Sequence, residues 1–546
     1  MTYIENFRNT FVVDILEVLG QINVNLASQR RALHDAFSDK EDSSVTTSGP
    51  VASRNGTNEI YMEGKAKGNC GDENQQDDMF LVDWNGPDDP DIPLNWDVGK
   101  KTVVILEVML LTCVTYMGAS IYIPGQEEIQ EEFRVGHVVG TLNMSMYVLG
   151  YGLGPMIFSP LSEVSTIGRQ QIYMITFIIF MVIQAGAATV QNIGGLVVIR
   201  FFSGVFCSPA LATGAASMGD IVGPEKISKY VGLWAVGCLA APVIAPLLGA
   251  CMVIAKGWRY IFWLLMWICA VTFIILAFFF PETSHENILY RRAIMLRKIT
   301  GDNRYHTRQE RLDANIKPKQ FLLDTFYRPF KIIAVEYSVL AFDIYTALAY
   351  GAFYLFFEAF PIVFGEMYHF SLIEQGLAYM GFCVGCVVAY TVLFVFITRV
   401  IDPRIKEDNF RPETFLILPM WVCWGMPFSL FFFGWTAGVH WILPIIAQIF
   451  FVLNVFNLFQ CSFSYLAVCF PKYYASVMAG NGLFRAVFAC AFPLFGRAMY
   501  KNLGTTKYPV AWGSSLIGFF GVGLAAIPFI MYKNGSKLRG RSRYAA

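Results

Sequence analysis

Five ionisable side chains stand inside otherwise apolar stretches of this 546-residue chain: Glu107, Arg200, Asp343, Glu358 and Arg485. A charge at the centre of a bilayer costs about 2.5–3.5 kcal/mol to insert, so each needs a partner, water or a task to offset it. The chemistry open to such groups is charge pairing and the gain and loss of protons, and the acids also suit cationic ligands. Hydrolytic and metal chemistry lack their residues. His34, His137, His285, His306, His369 and His440 are scattered over ends and loops, and no H-E-x-x-H, P-loop or G-x-S-x-G occurs. Neither an enzyme nor an ATP-driven pump is expected, and no cofactor or metal.

The elements that must hold these groups follow from composition. The chain is 55% hydrophobic, 16% aromatic and only 15% charged, against about 25% charged in an average soluble domain, and its mean hydropathy is +0.47. Twelve apolar runs approach the ~20 residues that cross a bilayer core: roughly 102–124, 137–159, 171–190, 194–217, 230–254, 259–280, 338–364, 372–397, 414–434, 440–466, 476–497 and 509–532. The organisation expected is a tail (1–101), a six-helix bundle (102–280), a central loop (281–336), a second six-helix bundle (337–532) and a short tail (533–546). Within the first tail, Phe11, Ile15, Val18, Leu19 and Ile22 fall at helical spacing, predicting an amphipathic helix lying on the membrane or the bundle. The polar tract of about 36–80 is too poor in apolar residues to order itself. The fold class is all-α and membrane-embedded.

Lys and Arg set the orientation. Eleven lie in 281–336, four in 398–413 and five in the C-terminal tail, while the first loop is acidic with Glu127, Glu128, Glu131 and Glu132. Both termini and the central loop are expected to be cytoplasmic. Basic and acidic residues balance at 41 each, so nothing points to nucleic acid. Cys383-x-x-Cys386 sits in GFCVGCVVAY and reads as small packing residues of a membrane helix. The sequons at Asn55, Asn143 and Asn534 fall on cytoplasmic or intramembrane positions and are expected to stay unmodified.

Depth then relates the charges. At 1.5 Å per residue, Arg200 in the fourth span and Glu358 in the seventh both lie roughly 9 Å below the surface away from the termini, so they are candidates to pair. Asp343, Ala347, Tyr350, Tyr354 and Glu358 share a stripe about 80° wide on the seventh span, a face that suits amphipathic or cationic molecules if it lines a cavity and packing if it does not. Asn454, Asn457, Gln460 and Ser464 form a polar edge on the tenth span, fit for ligand contact or for interhelical hydrogen bonds. Arg200 either snorkels toward headgroups or faces protein, and the small residues after it (Gly204, Cys207, Ser208, Ala210, Ala212) favour the second.

Several segments together resemble the major facilitator superfamily, and within it the fungal twelve-spanner drug:proton antiporters of the fluconazole-resistance group. SPLSEVSTIGRQQ after the second span is similar to the superfamily's acid-and-arginine signature, with Glu163, Gly168 and Arg169 in place and Gln170 where a base is usual. RFFSG in the fourth span matches R-x-x-x-G, which implies a proton-coupling role for Arg200. GLWAVGCLAAPVIAPLLGA in the fifth is similar to the antiporter signature, keeping Pro242 and Pro246 between Gly237 and Gly249, with Ala241 and Ala245 where glycines are common.

The resemblance implies a plasma-membrane exporter of azoles and other lipophilic toxicants driven by the proton gradient. Arg200, Glu358 and Asp343 are the expected proton-coupling residues. Tyr350, Tyr354, Glu358, Asn457 and Gln460 are the expected drug contacts, and Glu163, Gly168, Arg169, Gly237, Pro242, Pro246 and Gly249 the moving parts. Arg485 is expected to pack and hydrogen-bond. Expected partners are small lipophilic or cationic drugs, protons and membrane lipids, with the chain acting as a monomer. The alternative reading is export of a physiological substrate such as a polyamine or a weak organic acid. Twelve spans count against a seven-helix receptor.

Overall fold

Hydrocarbon offers the backbone no hydrogen-bond partner, so an apolar run of some twenty residues closes its N–H and C=O groups within itself as an α-helix. The computed structural model, which describes residues 9–18, 80–223, 226–314, 326–407 and 410–544, is built this way. Its only β pairing among those residues is two isolated bridges. Six helices form the first half: α1 (Val98–Ser120), α2 (His137–Leu153), α3 (Arg169–Thr189), α4 (Ile193–Ile221), α5 (Ile227–Lys256) and α6 (Arg259–Phe279). Six form the second: α7 (Tyr337–Phe360), α8 (Met380–Phe396), α9 (Gly425–Thr436), α10 (Ile442–Cys469), α11 (Tyr474–Leu503) and α12 (Ala511–Leu524).

Eleven of the described helical segments are long and apolar enough to cross a membrane. The twelfth expected span is present in two pieces. Its helix stops at Leu153, and Pro155, lacking an N–H, opens a second helix over Pro155–Glu163. The last span likewise continues past α12 as Ala526–Arg539.

Small residues set the packing. A Cβ added at Gly204 of α4 would lie 2.0 Å from the Tyr147 carbonyl oxygen of α2, so these backbones touch only because the residue is glycine. Across the two halves, a Cβ at Gly152 of α2 would lie 2.1 Å from that of Ala486 on α11. The halves also meet where α5 packs on α8. On α6, by contrast, Trp267, Val271, Ile274 and Phe278 are exposed at offsets 0, 4, 7 and 11, a lipid-facing stripe. α7 has no such stripe and is buried on nearly every side. The stripe inferred on it therefore faces protein.

On the side carrying the termini, the segment before α1 is tied to the helix His285–Thr300. Arg292 reaches Asp89 at 2.8 Å and Asp91 at 2.7 Å, with its guanidinium over the Trp84 ring. Burial would raise the Asp89 carboxyl, but Arg292 and the N–H groups of Asn85 and Asp91 outweigh it and hold the group below its ordinary value. The expected amphipathic helix is seen over Phe11–Val18, seated on the bundle with Phe11 against Phe273 and Asp14 bonded to Arg291. Leu19, Ile22, Asn55 and all but the last residue of the 36–80 tract lie outside the described residues.

Because the folded Asp89 carboxyl is held low, its pairing contributes fully above the ordinary value of 3.8 and is lost as pH falls further. Arg292→Ala should destabilise the purified protein by about 3 kcal/mol at pH 7. The difference in thermal midpoint between variant and wild type should shrink near pH 3.

Candidate functional site

A set of tyrosine hydroxyls joins the two halves. Tyr350 of α7 lies 2.8 Å from Tyr116 of α1 and 2.5 Å from Tyr151 of α2, and Tyr151 is 3.2 Å from Tyr354. A phenol is an apolar plate with one donor–acceptor tip, so four of them on three helices satisfy one another without a charge. They fill the centre between halves.

One end of this cluster meets an arginine. Arg485 of α11 lies over the rings of Tyr350, Phe459 and Phe463 at 5.2–5.4 Å, and its Nε has no hydrogen-bond partner. The packing expectation for Arg485 holds as aromatic caging rather than hydrogen bonding at Nε. Nearby on α7, Asp343 accepts from Asn481 at 2.6 Å, and Asn481 also donates to Thr346 at 3.0 Å. One Asp343 oxygen is buried without a partner. Glu107 of α1 is also buried, and neither of its oxygens has a partner.

The other end meets a carboxylate. Glu358 accepts from His137 Nε2 at 2.8 Å and from Thr141 at 3.3 Å, both on α2, so this pairing too crosses the halves. His137 Nδ1 faces Arg497 of α11 at 3.3 Å, and Arg497 donates to Glu366 at 2.7 Å. Sequence reasoning passed over His137, Thr141, Arg497, Tyr116 and Tyr151. His137 and Arg497 sit at span ends, where charged residues are ordinary.

Arg200 is fully buried, so it does not snorkel, and it does not pair with Glu358. Its Nη2 donates to the Gly118 carbonyl at 2.6 Å, and its Nε donates to that of Asn143 at 3.2 Å. The guanidinium lies 4.5 Å from the Tyr147 ring centre. Gly118 is in the last turn of α1, where carbonyls lack intrahelical partners and the helix dipole favours a cation. Matching depth placed Arg200 and Glu358 at one level, but the capping demand of α1 turns the side chain inward. Tyr122 lies within electrostatic reach of both.

Asn457 and Gln460 are not brought to the tyrosines. Asn457 donates to the carbonyls of Leu453 and Ala389, while Gln460 lines a small cavity with Ser228, Leu393 and Ser464. Along the polar edge of α10, Asn454 turns to the Val422 carbonyl ahead of α9 at 2.8 Å, and the rest meets α8 and α5. Cys386 lines a second small cavity among Leu239, Phe353 and Phe451, as a packing residue would.

On the side carrying the termini, the acid-and-arginine segment sits among several ion pairs. Arg169 pairs with Asp220 at 2.7 Å, not with Glu163. Gly168 starts α3 at φ +77°, a left-handed conformation favouring glycine. Glu282 then accepts the N–H groups of Arg169 and Gln170, each at 3.1 Å, so a carboxylate sits on the positive end of α3. Lys229 of α5 reaches Asp402 of the second half at 2.7 Å, closing this side as His137 and Glu358 close the other. α5 stays helical through Pro242 and Pro246. The Pro242 carbonyl accepts from Ser120 at 2.6 Å, and a Cβ at Gly249 would lie 2.2 Å from the Ile121 oxygen. Gly237, whose carbonyl faces Cys113, belongs to the same α1–α5 seam.

The chain matches the family profile "Major Facilitator Superfamily" over residues 108–493. It is 59% identical over 546 residues to Fluconazole resistance protein 1 of Saccharomyces cerevisiae, covering 100% of each chain. It is 62% identical over 471 residues to Multidrug transporter FLR2 of Candida glabrata, covering 86% of this chain and 80% of that protein. Among solved structures, a proton:xylose symporter bound to a bromodeoxyglucose has the same fold, with a TM-score of 0.56 at 14% identity over 80% of this chain and 96% of that one.

Removing the Arg200 guanidinium leaves buried carbonyls unsatisfied at about 1–3 kcal/mol each. Arg200→Ala should therefore lower both the thermal midpoint and the surface abundance, whereas Glu358→Gln should leave abundance within about twofold of wild type. Quantitative surface labelling and thermal unfolding check both.

Proposed function

The chain belongs to the major facilitator superfamily, and from that premise we propose that it is a proton-coupled multidrug exporter of azoles and other lipophilic toxicants. It is a transporter and not an enzyme. The observation that carries the reading is the seam in which Tyr116, Tyr151, Tyr350 and Tyr354 join the halves, with Glu358 at one end and caged Arg485 at the other. Aromatic plates with polar tips accept amphipathic molecules of varied shape, and no base-specific or sugar-specific donor set is needed. The names of the fungal relatives favour drugs as the cargo.

Export needs an energy source, and a protonatable group at the same seam supplies the coupling. Glu358 is the proton carrier in this reading, with Asp343 a second acid on the same helix. Arg200 acts indirectly, by holding the end of α1 beside Tyr122. The contacts across the seam must separate for the halves to rock about the site. The terminal-side pairs of Arg169, Asp220 and Lys229, the α1–α5 seam and Glu163 beside Arg169 bear on that motion. Lys and Arg on the loops favour cytoplasmic termini, and in this reading the carrier works as a monomer in the plasma membrane.

In cells loaded with a labelled azole, a proton uncoupler should stop efflux. Glu358→Gln should reduce efflux about tenfold or more at unchanged abundance. Wild-type efflux that survives the uncoupler sinks proton coupling, and normal efflux by Glu358→Gln removes Glu358 from it.

A further inference from the structure

His137 has two faces with opposite demands. Nε2 lies 2.8 Å from a carboxylate oxygen of Glu358, which accepts. Nδ1 lies 3.3 Å from Nη1 of Arg497, which only donates. A neutral imidazole carries one N–H, so in this arrangement the proton is on Nε2 and Nδ1 accepts from Arg497. The ring is thus held with one proton between a cation of α11 and an acid of α7, while its own helix belongs to the other half.

The surroundings also provide for a second proton. The side-chain amides of Gln126 and Gln130, on the helix Gln126–Phe133, lie 3.4 and 3.5 Å from Nδ1. An amide carries both a donor and an acceptor end, and a rotation presents its oxygen. Arg497 has its own acceptor in Glu366, with Lys501 at 3.7 Å from that carboxylate, so it can withdraw from an imidazolium without losing its partner. Tyr122 stands near Glu358 from the turn after α1, Tyr379 from just before α8 and Tyr500 from α11. Arg200, the remaining nearby cation, is turned to the α1 carbonyls. His137 is about a quarter exposed, so water reaches it.

We propose that His137 is a second proton-binding residue of the transport cycle, and that its protonation closes the side away from the termini by turning a hydrogen bond across the halves into an ion pair with Glu358. This rests on the proposed export function. Histidine is the side chain suited to the task, because its charge changes between pH 5 and 8. When the halves part on that side, the imidazole meets the outer solution and takes a proton where that solution is acidic. The charged ring then draws Glu358 across the gap, and a proton-loaded carrier closes that face, as return of an antiporter requires. Coupling of this kind between two sites amounts to about 5- to 150-fold in an equilibrium.

The test uses full-length protein in liposomes exchanging tritiated fluconazole, with equal pH on both sides so that no gradient drives it. Wild-type exchange should slow roughly fivefold or more between pH 7.5 and pH 5.5. His137→Gln keeps a donor for Glu358 but takes no charge, and should stay active with less than about a twofold change over that range. His137→Arg should be slow at both pH values. A flat wild-type profile, an inactive His137→Gln, or a His137→Gln as pH-dependent as wild type overturns the proposal. Loss of gradient-driven efflux in wild type would overturn the export reading instead, and exchange would still report on His137.

Discussion

The structure depends on one constraint: polar groups placed inside a low-dielectric bundle lose water as a partner, so the hydrogen bonds they make are made to protein. In the first half the partners lie within the half, as when the buried Arg200 takes a carbonyl at the end of α1 and the Asn143 carbonyl of α2. Along the seam they lie in the opposite half. Tyr350 relies on Tyr116 and Tyr151, and Glu358 relies on His137 and Thr141. Hydrogen bonds that cross a moving interface hold it closed, and each must be exchanged for water or ligand when it opens. An amphipathic drug with a polar atom is a chemically sensible replacement.

That division explains why the charged residues do different work. Arg200 bonds through Nε and Nη2 to backbone carbonyls of its own half while its Nη1 has no partner, which makes it an anchor. Arg485 is held by rings rather than by acceptors, so it keeps capacity to bond with something that enters. Glu358 and His137 bond to each other across the halves, so separation of the halves would part them. Coupling requires a group whose proton affinity depends on conformation, and a pair split across the seam meets that requirement where an intra-half pair does not.

Much of this was legible in the sequence. The helix-length apolar runs and their division into six and six come directly from hydropathy, since hydrocarbon tolerates so few backbone solutions. The stripe from Asp343 to Glu358 followed from helical period, and it does face protein. What the period could not supply was the partner. Depth put Arg200 level with Glu358 but said nothing of azimuth, and the open carbonyls of α1 decided the direction. The polar edge of α10 has a real period, yet Asn457 and Gln460 face α8 and α5, because one helix's pattern does not say which neighbour it meets. His137 and Arg497 were hidden by their places at span ends, and Asp220 and Glu282 because the acid-and-arginine signature drew attention to Glu163.

The central claim is that drug and proton compete at the seam through Glu358. Adding drug to purified protein in weakly buffered solution and recording proton release tests it most directly. The account expects release on drug addition from wild type and clearly less from Glu358→Gln with drug binding intact. Equal release from both, or drug binding without any proton release in wild type at any pH between 5 and 8, would contradict it.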